Sequence, residues 1–119
     1  MITIEKLKQI EKSIMATAIT ATGFSSKFNE LRSIKSHIQK QVSDLLSPQE
    51  MQDVVLSRKN ENTIKKLIQI GQKCYNENPN EERAYMVAMS IGTIIKEYGW
   101  GVDYISGSGL CQLANKIIQ

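Results

Sequence analysis

Two cysteines, one histidine, two prolines and one tryptophan are all that these 119 residues hold of those types. Each scarcity excludes something. Cys74, Cys111 and His37 are too few to supply the ligands of a structural zinc site. Two cysteines far apart in sequence are expected to be free and buried in a reducing compartment. No apolar run is long enough to span a bilayer. The first residues, MITIEKLKQIEKSIMATAI, carry charges through Lys12, unlike the basic-then-apolar layout of a signal peptide. The expected location is the cytosol.

What is present is ordinary for a soluble globular chain: 41% apolar and 23% charged residues. At this length one domain can bury roughly two-thirds of its unfolded surface, which is enough for a core without covalent staples. The net charge is +3 and uneven. Residues 1–46 hold seven basic and four acidic side chains, and residues 81–119 hold three and four. That gradient points weakly to an acidic partner and is no footprint of a strong nucleic-acid binder.

The chain is organised around NPNEERAYMVAMSIGTIIKEY, residues 78–98. Asn78 is a candidate cap, Pro79 suits the first turn, and Glu81 stands three residues after the cap. From Ala84 to Tyr98, ten of fifteen residues are apolar. Tyr85, Ala88, Ile91, Ile95 and Tyr98 share one face, while Met86, Met89 and Ile94 lie off it. A helix apolar most of the way round belongs inside a bundle. Ala84, Ala88 and Gly92 give it a side that a neighbouring helix could approach closely.

Amphipathic segments surround it. Ile4, Leu7, Ile10, Ile14 and Ala18 predict a first helix from about Thr3. MATAITATG then reads as frayed helix or extended chain, with a stop at Gly23. Ser25 or Ser26 would cap a second helix bearing Phe28, Leu31, Ile34, Ile38, Val42 and Leu45. Ser47-Pro48-Gln49-Glu50 forms a capping box for a short helix with Met51, Val54 and Val55. It runs out in a polar joint at 57–62. A further helix over Thr63 to Asn76 would face inward with Ile64, Leu67, Ile68, Gly71 and Cys74. Gly71 costs about 1 kcal/mol in a helix interior, which close packing against the Ala88/Gly92 side would offset. A last helix after Ser106 or Ser108 carries Leu110, Leu113, Ala114, Ile117 and Ile118. The expectation is an all-α single domain over residues 1–119, with five or six helices around the buried helix near 79–98.

Candidates for chemistry are few. Gly99, Gly101, Gly107 and Gly109 crowd one segment, but GSGL lacks the lysine and spacing of a phosphate loop. His37 has no nucleophile or carboxylate in register, so it reads as a boundary histidine. Glu81 and Glu82 suit a helix first turn without any acid–base role. Met51, Met86 and Met89 read as core fillers. Arg58, Lys59, Lys65, Lys66 and Lys73 could touch nucleic acid, although a solvated helix face explains the same residues better, since it needs no partner. Trp100, Asp103 and Tyr104 sit in a glycine-flanked loop and are the candidate partner-binding residues. No acid, base and nucleophile set can be assembled. The chain is therefore read as no enzyme, with no cofactor, metal or small-molecule substrate.

LRSIKSHIQ, then Ile70-Gly71, Tyr75, Asn78-Pro79, and a helix with Ala88 and Gly92 together resemble small immunity proteins, over residues 28–95. These are cytosolic all-helical antidotes to NAD(P)-hydrolysing or nucleotide-modifying toxins delivered by type VI secretion. The resemblance implies a bacterial protein-binding inhibitor whose partner is a cognate toxin bound 1:1. It carries no toxin-contacting position onto this chain. The alternative is a small nucleic-acid-associated or mobile-element regulatory protein acting through the basic 58–73 face.

Overall fold

The computed structural model describes residues 1–16, 19–20, 23–47, 49, 61–97 and 107–119. They form an all-α bundle of five helices: α1 (Ile4–Ala16), α2 (Ser26–Leu45), α3 (Glu61–Asn76), α4 (Glu81–Glu97) and α5 (Gly107–Ile118). Between α1 and α2, β1 (Ile19–Thr20) pairs antiparallel with β2 (Gly23–Phe24). Of MATAITATG, Met15 and Ala16 close α1 and residues 19, 20 and 23 are extended, while residues 17, 18, 21 and 22 lie outside the described ones. Gly23 sits at φ 134°, where an L side chain would be strained. No described helix is long and apolar enough to cross a membrane.

α4 packs against each of the other four helices. Ala84 to Ala88, Ser90 to Gly92, Ile94 and Ile95 are buried, so its apolar residues meet neighbours on nearly every side, as the sequence predicts. Ser90 is the one buried polar residue described there, and its hydroxyl donates to the Met86 carbonyl at 2.7 Å. The small-residue side is not where Gly71 docks. A β-carbon at Gly71 would strike Ile91 Cδ1 and lie 3.1 Å from Val87 Cγ1 and 3.4 Å from Ile117 Cγ1. The glycine of α3 thus lets large residues of α4 and α5 come close, where Ala88 and Gly92 were the expected neighbours.

Caps fix the helix starts. Thr3 Oγ1 accepts from the Lys6 amide at 3.2 Å. Ser25 Oγ accepts from the Phe28 amide, also at 3.2 Å. α4 is capped by Asn80, whose Oδ1 accepts from the Arg83 amide at 2.8 Å, and not by Asn78. The helix begins at Glu81, so Asn78 lies too far upstream; its amide donates to the Tyr75 carbonyl at 3.2 Å and its carbonyl accepts from Asn80 Nδ2 at 3.2 Å.

Two apolar expectations shift, one by two positions and the other by one. Ile4 is 37% exposed and Ile2 is buried in its place. Leu45 is 61% exposed while Leu46 is 4% exposed. Leu46 leaves the helix in extended conformation at φ −110°, ψ 125°, which swings its side chain into the core and leaves Leu45 on the rim. The SPQE box and the short helix expected after it lie outside the described residues, except for Ser47 and Gln49.

A candidate binding crevice between α2 and α3

Every third or fourth residue of α2 from Glu30 to Leu45 lines an open crevice against α3. One end is a cavity of about 310 Å³ lined by Glu30, Ser33, Ile34, His37, Cys74, Glu77 and Arg83. The other, of about 520 Å³, is lined by Gln41, Asp44, Leu45, Lys66, Gln69, Ile70 and Lys73. At 1.5 Å per residue, the α2 wall is about 22 Å long. Between the two cavities, the Gln41 side-chain nitrogen lies 3.2 Å from His37 Nε2.

The first end is held by Arg83, whose side chain is only 12% exposed. Its Nε donates to the Cys74 carbonyl at 2.9 Å, an acceptor near the end of α3 that also takes the Glu77 amide at 3.3 Å. Its Nη1 reaches Glu30 Oε1 and its Nη2 reaches Glu77 Oε2, each at 3.3 Å. One guanidinium therefore joins α2, the end of α3 and the first turn of α4. A cation in a helix's first turn opposes the macrodipole, so Arg83 stands there for its tertiary partners. That misfit was the sequence signal for it.

The same arrangement accounts for Cys74. Its thiol is buried, and burial pushes its pKa up against the lowering pull of the Arg83 cation. Arg83 Nη2 lies 3.6 Å from the sulfur. A thiol held protonated is a poor nucleophile and metal ligand. Among the described residues no three His, Cys, Asp or Glu side chains are grouped to hold a metal ion. Both cysteines are free thiols.

The second end is apolar below and charged at the edge. Ile70 forms its floor at 6% exposure, and the largely exposed Leu45 stands at its rim. Of the candidate nucleic-acid residues, Lys65, Lys66 and Lys73 are exposed on α3, and Lys66 and Lys73 line the crevice. Arg58 and Lys59 lie outside the described residues. So do the candidate partner-binding residues Trp100, Asp103 and Tyr104. Sequence reasoning missed Ile70 and Leu45 as crevice residues, because helical spacing placed Leu45 in the core.

Comparisons with protein-family models, with curated proteins and with solved structures gave no match. The chain is defined by its architecture, a small all-α bundle with an open crevice between two of its helices.

Proposed function

We propose that this is a non-catalytic protein-binding inhibitor, and specifically a cytoplasmic immunity protein that neutralises a bacterial toxin by direct 1:1 binding. The observation that carries the reading is the composition of the α2–α3 crevice. Its potentially reactive groups, the Cys74 thiol and the Arg83 guanidinium, are tied to other protein groups. What it offers outward is the apolar side chain of Leu45 beside charged residues. An apolar anchor with a polar rim suits the binding of another protein. The resemblance of residues 28–95 to type VI immunity proteins supplies the more specific part, and Trp100, Asp103 and Tyr104 remain candidate partner contacts on sequence grounds.

The test is to look for a toxin gene beside this chain's gene and to titrate the protein against its product. Toxin activity should vanish at about one equivalent of protein, with no turnover by the protein. Protection at well below one equivalent would overturn the proposal, since it would require the protein to reverse the toxin's product catalytically.

The alternative reading, a nucleic-acid-associated regulator, draws support from the exposure of Lys65, Lys66 and Lys73 along one helix. It requires duplex or single-stranded binding that weakens steeply with salt.

A further inference from the structure

We propose that the apolar end of the α2–α3 crevice receives an acidic amphipathic helix of the protein partner, an inference that rests on the binding reading above. Three observations lead to it. First, Leu45 and Ile70 present apolar surface in a cavity of about 520 Å³ whose walls are two helices. Neither wall has a free backbone edge, so strand addition is excluded and a helix laid in the groove is the mode that fits.

Second, the surrounding charge is cationic. Lys66 and Lys73 line this cavity against one acid, Asp44, and the exposed Lys73 makes no ion pair among the described residues. Nearer the start of α2 the pattern differs: Lys27 pairs with Glu82 at 2.8 Å, and Lys35 lies 3.9 Å from Glu97. An excess of lysine over acid beside an apolar cavity complements a segment with carboxylates flanking its apolar face.

Third, the apolar floor favours protein over nucleic acid. Phosphates would gain from the lysines, yet they would leave Leu45 and Ile70 unused.

The experiment is an amide-shift titration of the intact protein with a synthetic peptide of about fifteen residues, long enough to span the crevice, with leucines on one helical face and glutamates on the other. A matched peptide with lysine for glutamate and a short DNA duplex serve as controls. The glutamate peptide should shift the amides of Gln41 to Leu45 and Lys66 to Lys73. Its affinity should fall at least tenfold in Leu45→Glu and in Lys73→Glu, both exposed positions where the fold is retained. The inference is overturned if the glutamate peptide leaves those amides unmoved, or if the lysine peptide or the duplex moves them as strongly. It is also overturned if concentrating the protein alone moves them, which would make the occupant a second copy. The toxin titration separates this from the parent reading. A wild type that inhibits, beside a Leu45→Glu/Lys73→Glu variant that inhibits equally, overturns the crevice alone. A wild type that does not inhibit overturns the binding reading itself.

Discussion

The carboxamide of Asn115 in α5 spans the backbone of Ile2. Asn115 Oδ1 accepts from the Ile2 amide at 2.8 Å, and Asn115 Nδ2 donates to the Ile2 carbonyl at 3.0 Å. The Cys111 thiol donates to the same carbonyl at 3.2 Å. Both main-chain groups of Ile2 are thereby paired, and its side chain is 3% exposed. Two side chains of the helix Gly107–Ile118 thus hold the backbone of Ile2.

Replacing Asn115 by leucine removes both bonds and strands the Ile2 amide near the protein surface. A net hydrogen bond is worth about 0.5–1.5 kcal/mol, and a stranded buried group costs more. Asn115→Leu should therefore lower stability by about 1–3 kcal/mol in chemical denaturation, with faster hydrogen exchange in α1. A midpoint equal to wild type would show that the clasp contributes nothing.

Gly71→Ala tests the tight meeting of α3 with α4 and α5. Alanine gains about 1 kcal/mol of helix propensity over glycine. Against that, its β-carbon meets Ile91, which is fully buried, and the stiff side chain of Val87. Overpacking of this kind costs about 1–3 kcal/mol. A net loss is expected in a denaturant titration, and a more stable variant would mean that Ile91 can move aside freely.

Tyr85 gives the fold an alkaline limit. Burial, assisted by the charge of Glu11, pushes its phenol up to about 12, and the phenol makes no hydrogen bond among the described residues. The folded state holds the proton more tightly than the unfolded chain, whose tyrosine ionises near 10. Its contribution is therefore fully present below pH 10 and is lost as pH rises through 12, to the extent of about 2–3 kcal/mol. Tyr85→Phe should flatten the fall of stability between pH 10 and 12 relative to wild type while changing little at pH 7. Parallel curves for the two proteins would place the phenol in water.

Trp100→Ala addresses the partner-binding residues proposed from the sequence. Interface energy concentrates in a few aromatic anchors. The substitution should weaken toxin binding by about 2 kcal/mol or more, with melting nearly unchanged. A stability loss of about 3–5 kcal/mol, with binding recovered at low temperature, would instead make Trp100 a core residue.

The all-α class and the central position of α4 follow from the sequence alone, because both are periodic properties. Apolar residues at steps of three and four mark Leu7, Ile10, Ile34, Ile38 and Val42 as inward, and all five are buried. The largely apolar girth of residues 84–95 likewise requires neighbours on nearly every side. Periodicity describes one helix at a time, and it says nothing of which surfaces meet. Only the tertiary structure decided that Gly71 faces Ile91, that Asn115 holds Ile2, and that Arg83 gathers Glu30, Glu77 and Cys74 from separate elements. It also decided the exchange of Leu46 for Leu45, since one backbone turn at the end of α2 fixes which of two adjacent leucines enters the core. The crevice follows from that exchange, because its exposed apolar rim is the leucine that the turn leaves outside.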